Sequence, residues 1–261
     1  MSHRIKYIMI RLILLSMIVL TGWVLVSAVG RTMKSRSETI QYKITGSETN
    51  NAMVTEDDLK VILDKEFNAI LVGAPISDVD IQAIEKRMEK EELIQSVQVY
   101  LDANNQLHIE VEPMIAALRI MDDKGRNYYL DPTGVRFPVS KHYTPRVPVV
   151  TGQLPVYEKP VLEEKEGNIL KEVFELSSLL RNDEFLSALI EQIHVDENNK
   201  IILVPKVGDH VIRYGRHNED GLERLDNLKV FYKEGMPYEG WNKYEAISIE
   251  YKGQVVCTHK E

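Results

Sequence analysis

The chain has 261 residues, of which 44% are hydrophobic and 28% are charged, and this ordinary globular composition argues against long disordered segments. Residues 1–36 hold six basic residues and no acidic one; taking these six from the 32 Lys and Arg leaves 26 against 40 Asp and Glu, a charge of −14, in the remainder. Such an acidic body would repel a phosphate backbone, which excludes nucleic acid as the main partner.

The first predicted element is a membrane anchor. Leu12–Val29 contains eighteen residues without a charge, and at about 1.5 Å per residue such a helix nearly spans a hydrocarbon core about 30 Å thick. The alternative is a cleaved signal peptide with a cleavage site at Val26-Ser27-Ala28. The apolar region of a signal peptide runs only about 7–15 residues, so we expect an uncleaved, single-pass anchor.

Residues 37–112 are predicted to form a first domain with the order strand, helix, helix, strand, strand. Strands are predicted where apolar residues alternate, and helices where they recur at spacings of three and four behind a capping residue. The predicted elements are a strand at Thr39–Thr45, a helix that Thr55 caps, a helix that begins within Ser77–Asp80, and strands at Val97–Leu101 and Leu107–Val111 with a turn at Ala103–Asn105.

A different pattern begins at Pro113, so residues 113–261 are predicted to form a second domain, a mixed α+β fold on a largely antiparallel sheet. The predicted strands are Ala116–Met121, Tyr128–Leu130, Val135–Phe137, Val147–Thr151, Ile201–Val204, His210–Tyr214 and Tyr244–Tyr251, with a further run at Gln254–Cys257 after a break at Lys252-Gly253. The predicted helices are Ile169–Leu180, Phe185–Leu189 and Leu222–Phe231, the last closed by Gly235 and Pro237.

Motifs that would carry catalysis are absent from this sequence. It has no phosphate loop, dinucleotide fingerprint, nucleophile elbow or paired-histidine zinc helix. The single Cys257 can form neither an internal disulfide nor a cysteine-rich metal site. Asp196–Asn199 lacks the glycine and the closing glutamate of a calcium loop, and a hairpin turn explains it better. We therefore expect no catalytic residue, no cofactor, no metal and no small-molecule substrate, and we expect the function to be binding.

The order of these parts resembles the FtsQ/DivIB family of bacterial cell-division proteins. A short basic tail, one anchor and a strand-helix-helix-strand-strand unit are similar to that family's anchor and POTRA domain. The segments that resemble the family's β domain are Tyr129–Pro138, Pro148–Gly152, Val211–Arg216, Leu222–Tyr232 and Ile247–Tyr251. The last segment departs from the family pattern, because Glu250 stands where an arginine usually precedes the tyrosine.

The resemblance implies a non-enzymatic scaffold of the divisome in the cytoplasmic (inner) membrane, enriched at the division septum. In that family the β domain recruits a subcomplex of two bitopic coiled-coil proteins, FtsB and FtsL, and the POTRA domain helps localisation. It further implies partner contacts at Tyr251 and Arg216, with Tyr251 as an amphipathic anchor and Arg216 as a charged handle for an acidic partner helix.

A final strand near the chain end is predicted to be an exposed sheet edge, where an extended partner segment could add a strand. Alternate residues of Ile247–Tyr251 would share a face, so Ser248 and Glu250 would point away from the other three. The predicted partner-binding residues are Tyr251, Ile247, Ile249, Ser248, Glu250 and Arg216. The alternative is that this strand lies inside the sheet.

Two other functions compete with the division scaffold. A POTRA-bearing protein of outer-membrane assembly or secretion should also carry a barrel of strands of about 9–11 residues, which we do not expect in this chain. An anchored envelope enzyme would need convergent titratable groups in a pocket.

Three basic residues precede the anchor and three follow it, so the flanking charge does not decide the orientation. The simpler topology keeps the short N-terminal tail in the cytoplasm and places residues from Ser37 onward outside it. Protease added to spheroplasts should then digest the body of the chain while a cytoplasmic control protein survives. Survival of both proteins would contradict this topology.

Overall fold

The structure, a computed structural model, describes residues 13–24, 39–46, 52–67, 75 and 78–260. Residues 13–24 are helical. Within the described ranges, no helix is both long enough and apolar enough to cross a membrane. The remainder of the predicted span Leu12–Val29 and the linker Arg31–Ser37 lie outside the described residues, so the anchor stays a prediction.

The chain divides into two compact units between Pro113 and Met114. The elements of the first unit are β1 (Ile40–Ile44), α1 (Glu56–Phe67), α2 (Ile81–Met88), β2 (Ile94–Leu101) and β3 (Leu107–Pro113). Strand β3 is central in a three-stranded sheet, antiparallel to β2 and parallel to β1. The order strand, helix, helix, strand, strand is therefore confirmed.

Local capping determines where the two helices of this unit begin. The Thr55 N–H donates to the Asp58 carboxylate at 2.8 Å, and the Asp58 N–H donates to the Thr55 hydroxyl at 3.3 Å, as the capping box predicts. The Asp80 side chain accepts from the Ala83 N–H at 3.0 Å and caps α2. Ser77, where the predicted start of this helix begins, lies outside the described residues.

The second unit is built on one nine-stranded sheet. Its strands are β4 (Leu118–Asp122), β5 (Asn127–Leu130), β6 (Arg136–Pro138), β7 (Val149–Gly152), β8 (Ile190–Val195), β9 (Ile201–Pro205), β10 (Val211–Gly215), β11 (Tyr244–Ser248) and β12 (Val256–His259). Their order across the sheet is β12-β11-β10-β9-β8-β7-β4-β5-β6. Five of the eight neighbouring pairs are antiparallel and three are parallel, so the sheet is mixed.

Helices cover one face of this sheet. They are α3 (Ile169–Asn182), α4 (Glu184–Leu189), α5 (Gly221–Val230) and, after a π-helical turn at Phe231–Gly235, α6 (Met236–Glu239). Strand residues that face them, such as Ile193 and Leu203, are fully buried in one core with Leu176 and Leu228. Most of the alternate strand residues are half-buried or exposed. Tyr129 and Phe137 are exceptions, because their rings pack on each other and are buried on the opposite face.

The sequence indicates only the end of β8, a strand end at His194–Asp196. A β-bulge explains why the rest of the strand was not predicted. The pairing of β8 with β9 shifts register between Ile190 and Gln192. The bulge places an extra residue in β8, so its apolar positions Ile190, Ile193 and Val195 lose the strict alternation that marks a strand.

The predicted end of the last long helix is wrong. Gly235 has a helical φ of −87°. Pro237 lies in the first turn of α6, where the N–H that proline lacks is not needed for a helical hydrogen bond. The helical segment therefore continues to Glu239 and ends at Gly240, whose φ of +91° suits a C-terminal cap.

The predicted edge strand Tyr244–Tyr251 is also corrected. Strand β11 ends at Ser248, the chain turns through Gly253 at a φ of +67°, and β12 returns antiparallel to β11. Strand β11 thus pairs with β10 on one side and β12 on the other, so it lies inside the sheet and β12 is the edge.

The core residues of the first unit all lie within residues 40–113, so we expect this unit to fold alone. A fragment of residues 37–113 should melt cooperatively. Ile109→Ala, in the fully buried centre of β3, should lower its free energy of unfolding by about 2–5 kcal/mol. Val61→Ala, on the 65%-exposed face of α1, should cost less than about 0.5 kcal/mol. Circular dichroism melts test both, and a non-cooperative signal from the unaltered fragment would contradict independent folding.

Candidate functional site

The candidate site is an open edge of the nine-stranded sheet. A sheet edge presents unpaired backbone N–H and C=O groups, which an extended segment of another chain can use. The two edges of this sheet are β6 and β12. Their backbone geometry decides which of them can accept a further strand.

The β6 edge has no free outward N–H. The Asp131 N–H donates to the Val135 carbonyl at 2.9 Å, which turns the backbone groups of Arg136 outward. The Arg136 N–H donates to the Tyr157 hydroxyl at 3.1 Å and is therefore occupied. Pro138, the next outward residue, has no N–H. Strand β6 is both short and blocked.

The β12 edge is open. The Lys260 N–H donates to the Lys243 carbonyl at 3.1 Å, so the pair of Tyr244 and His259 is one whose own backbone groups point away from each other. By strand alternation the backbone groups of Cys257 also point outward. No hydrogen bond among the described residues reaches these outward groups.

The side chains of β12 are largely uncharged and accessible. Val256 is 44% exposed, and Thr258 and His259 are exposed as well. Cys257 is half-buried against the core, and burial raises the pKa of its thiol, so the thiol is neutral at pH 7. A neutral surface beside unpaired backbone groups suits the addition of a strand.

Two of the predicted partner-binding residues are inaccessible. Ile247 in β11 and Ile249 just after it are fully buried, because both pack in the core under the helices. Ser248 is half-buried between its neighbours Arg213 in β10 and Val256 in β12. The isoleucine side chains cannot contact a partner directly and instead support the sheet beside its edge.

Tyr251 and Glu250 lie in the turn between β11 and β12. Tyr251 is 58% exposed and does not share a strand face with the isoleucines, because β11 ends before it. The Glu250 carboxylate forms an ion pair with Lys200 at 3.1 Å. It also packs on Gly215, where an added Cβ would lie 3.0 Å from its Cγ. The acidic residue that replaces the family's usual arginine is thus paired within this domain.

Arg216, predicted as a charged handle, is bound within the domain. Its Nε donates to Glu172 Oε2 at 2.8 Å, and its Nη2 donates to Glu172 Oε1 and, at 2.9 Å, to the Gly167 carbonyl. Glu172 is 6% exposed and also accepts from the His217 N–H at 3.0 Å. The hydrogen bonds with Glu172 raise the pKa of Arg216. Arg216 therefore fastens the end of β10 to α3.

A second buried network, which the sequence did not reveal, holds the same loop. Arg224 is 4% exposed and donates to the Tyr214 and Arg216 carbonyls at 2.8 Å. The Tyr214 hydroxyl lies 2.6 Å from His217 Nδ1, and burial raises the pKa of Tyr214 to about 12. Burial, with Arg224 nearby, lowers the pKa of His217. These groups stabilise the fold, and the buried Tyr214 and Arg224 are inaccessible to a partner.

Comparison with known proteins follows this division of the chain. A family model described as FtsQ/DivIB, C-terminal related, matches residues 112–258, more than half of the chain. A POTRA-like domain model matches residues 36–112. The cell division protein FtsQ of Rhodothermus marinus is 25% identical over 196 residues, which cover 74% of this chain and 70% of that protein.

The Arg216–Glu172 contact predicts a stability effect. Arg216→Ala should lower the free energy of unfolding by about 2–3 kcal/mol, because it leaves the enclosed Glu172 carboxylate without its cation. Arg213→Ala, on the exposed face of β10, should lower the free energy of unfolding by less than about 0.5 kcal/mol. Urea denaturation of the two variants measures the difference, and equal losses would contradict the structural role of Arg216.

Proposed function

Because the chain belongs to the FtsQ/DivIB family, whose members are non-enzymatic cell-division scaffolds, we propose that it recruits an FtsB/FtsL-like subcomplex through the β12 edge of its second unit. The observation that carries this proposal is the contrast between the two sheet edges. Strand β6 is blocked, whereas Cys257 and His259 turn unpaired backbone groups outward.

Strand addition at β12 supplies only part of the affinity. The outward N–H and C=O groups of Cys257 and His259 can form up to four hydrogen bonds with an added strand. Each contributes about 0.5–1.5 kcal/mol net, because water must be displaced from both partners. Such a ladder fixes the register and direction of a partner segment, and side-chain contacts must provide most of the remaining free energy.

Tyr251 is the predicted residue that we retain as a direct partner contact. It is exposed in the turn that leads into β12, and an aromatic ring with a hydroxyl can bury a large apolar area while it keeps one polar contact. Ser248 ends β11 before this turn, and Glu250 lies within it. Ile247 and Ile249 contribute indirectly, because they pack in the core beside the edge. Arg216, whose side chain is 44% exposed, holds the end of β10 to α3.

The remaining parts of the proposal concern the membrane and the first unit. We propose that residues 1–36 comprise a cytoplasmic tail, the anchor and a linker, so that both units lie outside the cytoplasm. Residues 37–112 would act as the POTRA domain that helps localisation to the septum, and residues 113–261 as the partner-binding β domain. The match of a POTRA-like model to residues 36–112 supports this assignment.

An enzymatic alternative would centre on a hollow of about 640 Å³ beside the Arg216 loop, which Glu166, Glu172, Glu175 and His217 help to line. All three carboxylates are already paired, Glu166 and Glu175 with Lys171 and Glu172 with Arg216. Pairing of this kind serves stability, and we assign no chemistry to the hollow.

The test compares two substitutions at one position. His259→Pro removes the outward N–H without loss of a bond to β11, since proline is tolerated where an edge N–H faces solvent. It should weaken binding of the extracytoplasmic segment of the FtsB-like protein by about tenfold. His259→Ala removes the same imidazole ring but retains the N–H, and its affinity should stay within about threefold of the unaltered chain.

Isothermal titration of both purified variants gives the affinities, and circular dichroism verifies that each is folded. Equal affinity of the two variants would exclude strand addition at β12. Failure of the unaltered body, which is residues 37–261 without a substitution, to bind this segment at all would overturn the proposed partner.

A further inference from the structure

A shallow apolar groove adjoins the β12 edge on the side of the helices. We call it the edge groove; its volume is about 430 Å³, and its lining residues are Asn227, Val230, Phe231, Glu234, Gly235, Gly253 and Val255. The first five follow one face of α5 and the π-helical turn, at spacings of three and four. The other two lie in the segment that leads into β12. The groove therefore runs between a helix and the start of the open strand.

The apolar residues of the edge groove are accessible. Val230 is 53% exposed, and Phe231 and Val255 are half-buried. Gly235 lines the edge groove where a larger residue would not fit, because a Cβ at this position would lie 3.0 Å from Phe231 Cδ2. A glycine here leaves room for the aromatic ring beside the helix. Apolar surface of this kind gains free energy when a partner covers it.

The direction of the β12 side chains connects the edge to the groove. Val255 and Cys257 pack against the core, so they point towards the helices. A residue of an added strand that lies opposite either of them points to the same side of the sheet. The helix-facing side chains of an added strand would therefore enter the edge groove, while the alternate ones would lie over the open face beside Val256.

We propose that the edge groove selects the partner: it takes a bulky apolar side chain from an extended segment, with a basic side chain at a neighbouring position of the same face. This inference rests on the proposed function, because it assumes that a strand adds to β12. The unpaired backbone groups of Cys257 and His259 require an extended occupant, since a helix in this position would leave them unpaired. Glu234 is the one charged residue among the described residues that line the groove, and it would attract the basic side chain.

Two exposed apolar residues of α5 provide a matched test. Val230 lines the groove and is 53% exposed, whereas Leu222 is 58% exposed and does not line it. Val230→Glu should weaken binding of the FtsB-like extracytoplasmic segment by about tenfold, because it places a charge where an apolar side chain must be buried. Leu222→Glu adds the same charge to the same helix and should change the affinity by less than about twofold.

A double-mutant cycle identifies the occupant. Each apolar residue of the partner segment is replaced by alanine and titrated against the unaltered body and against Val230→Glu. One of these alanine replacements should weaken binding to the unaltered body but have little further effect on binding to Val230→Glu. This result would show that the replaced side chain contacts Val230. Additive losses for every apolar residue, or an unchanged affinity of Val230→Glu, would overturn the groove assignment.

The outcomes separate the groove from the edge. If His259→Pro weakens binding while Val230→Glu does not, strand addition stands and the edge groove has no role in selection. If the unaltered body does not bind the segment, the proposed function and the groove assignment fall together.

Discussion

The second unit depends on one continuous ladder of backbone hydrogen bonds that joins nine strands. Every interior strand must satisfy its N–H and C=O groups on both sides, because unpaired backbone groups inside a protein cost free energy. This requirement places β11 between β10 and β12 and buries Ile247 and Ile249 under the helices. It also leaves two edges at which the ladder must either stop or continue into another molecule.

The sheet edges differ in whether their outward backbone N–H groups are free. At β6 a tyrosine hydroxyl and a proline remove the outward donors. In the first unit, the Glu85 carboxylate on α2 accepts from the Val99 N–H of edge strand β2 at 2.9 Å. Blocked edges of this kind protect a protein from uncontrolled strand pairing. Among the described residues, by contrast, no hydrogen bond reaches the outward backbone groups of Cys257 and His259.

Ion pairs with a buried carboxylate position loops in the second unit. Arg216 and Glu172 join the end of β10 to α3. In a parallel case, burial would by itself raise the pKa of Asp122, but the Arg126 guanidinium beside it holds this pKa below its usual range. The Asp122 carboxylate also accepts from the Lys124 and Arg126 N–H groups and shapes the turn between β4 and β5.

The sequence by itself determined the local features of this protein. Alternation and capping predicted the five elements of the first unit. The hairpin turn at Asp196–Asn199 forms as expected, with the Asp196 side chain accepting from the Asn198 N–H at 2.8 Å. The order of motifs identified the family. These features depend on residues close together in the chain, whose preferences a sequence records directly.

Only the tertiary structure decided which strand is the edge, that Arg216 is engaged by Glu172, and that a groove adjoins β12. The break at Lys252-Gly253 marked a new strand, but whether that strand covers β11 or pairs elsewhere depends on residues distant in sequence. The bulge in β8 and the burial of Ile249 depend on such pairing too. Side-chain period fixes which residues share a face, whereas the neighbour that covers a face is chosen by the packing of the whole sheet.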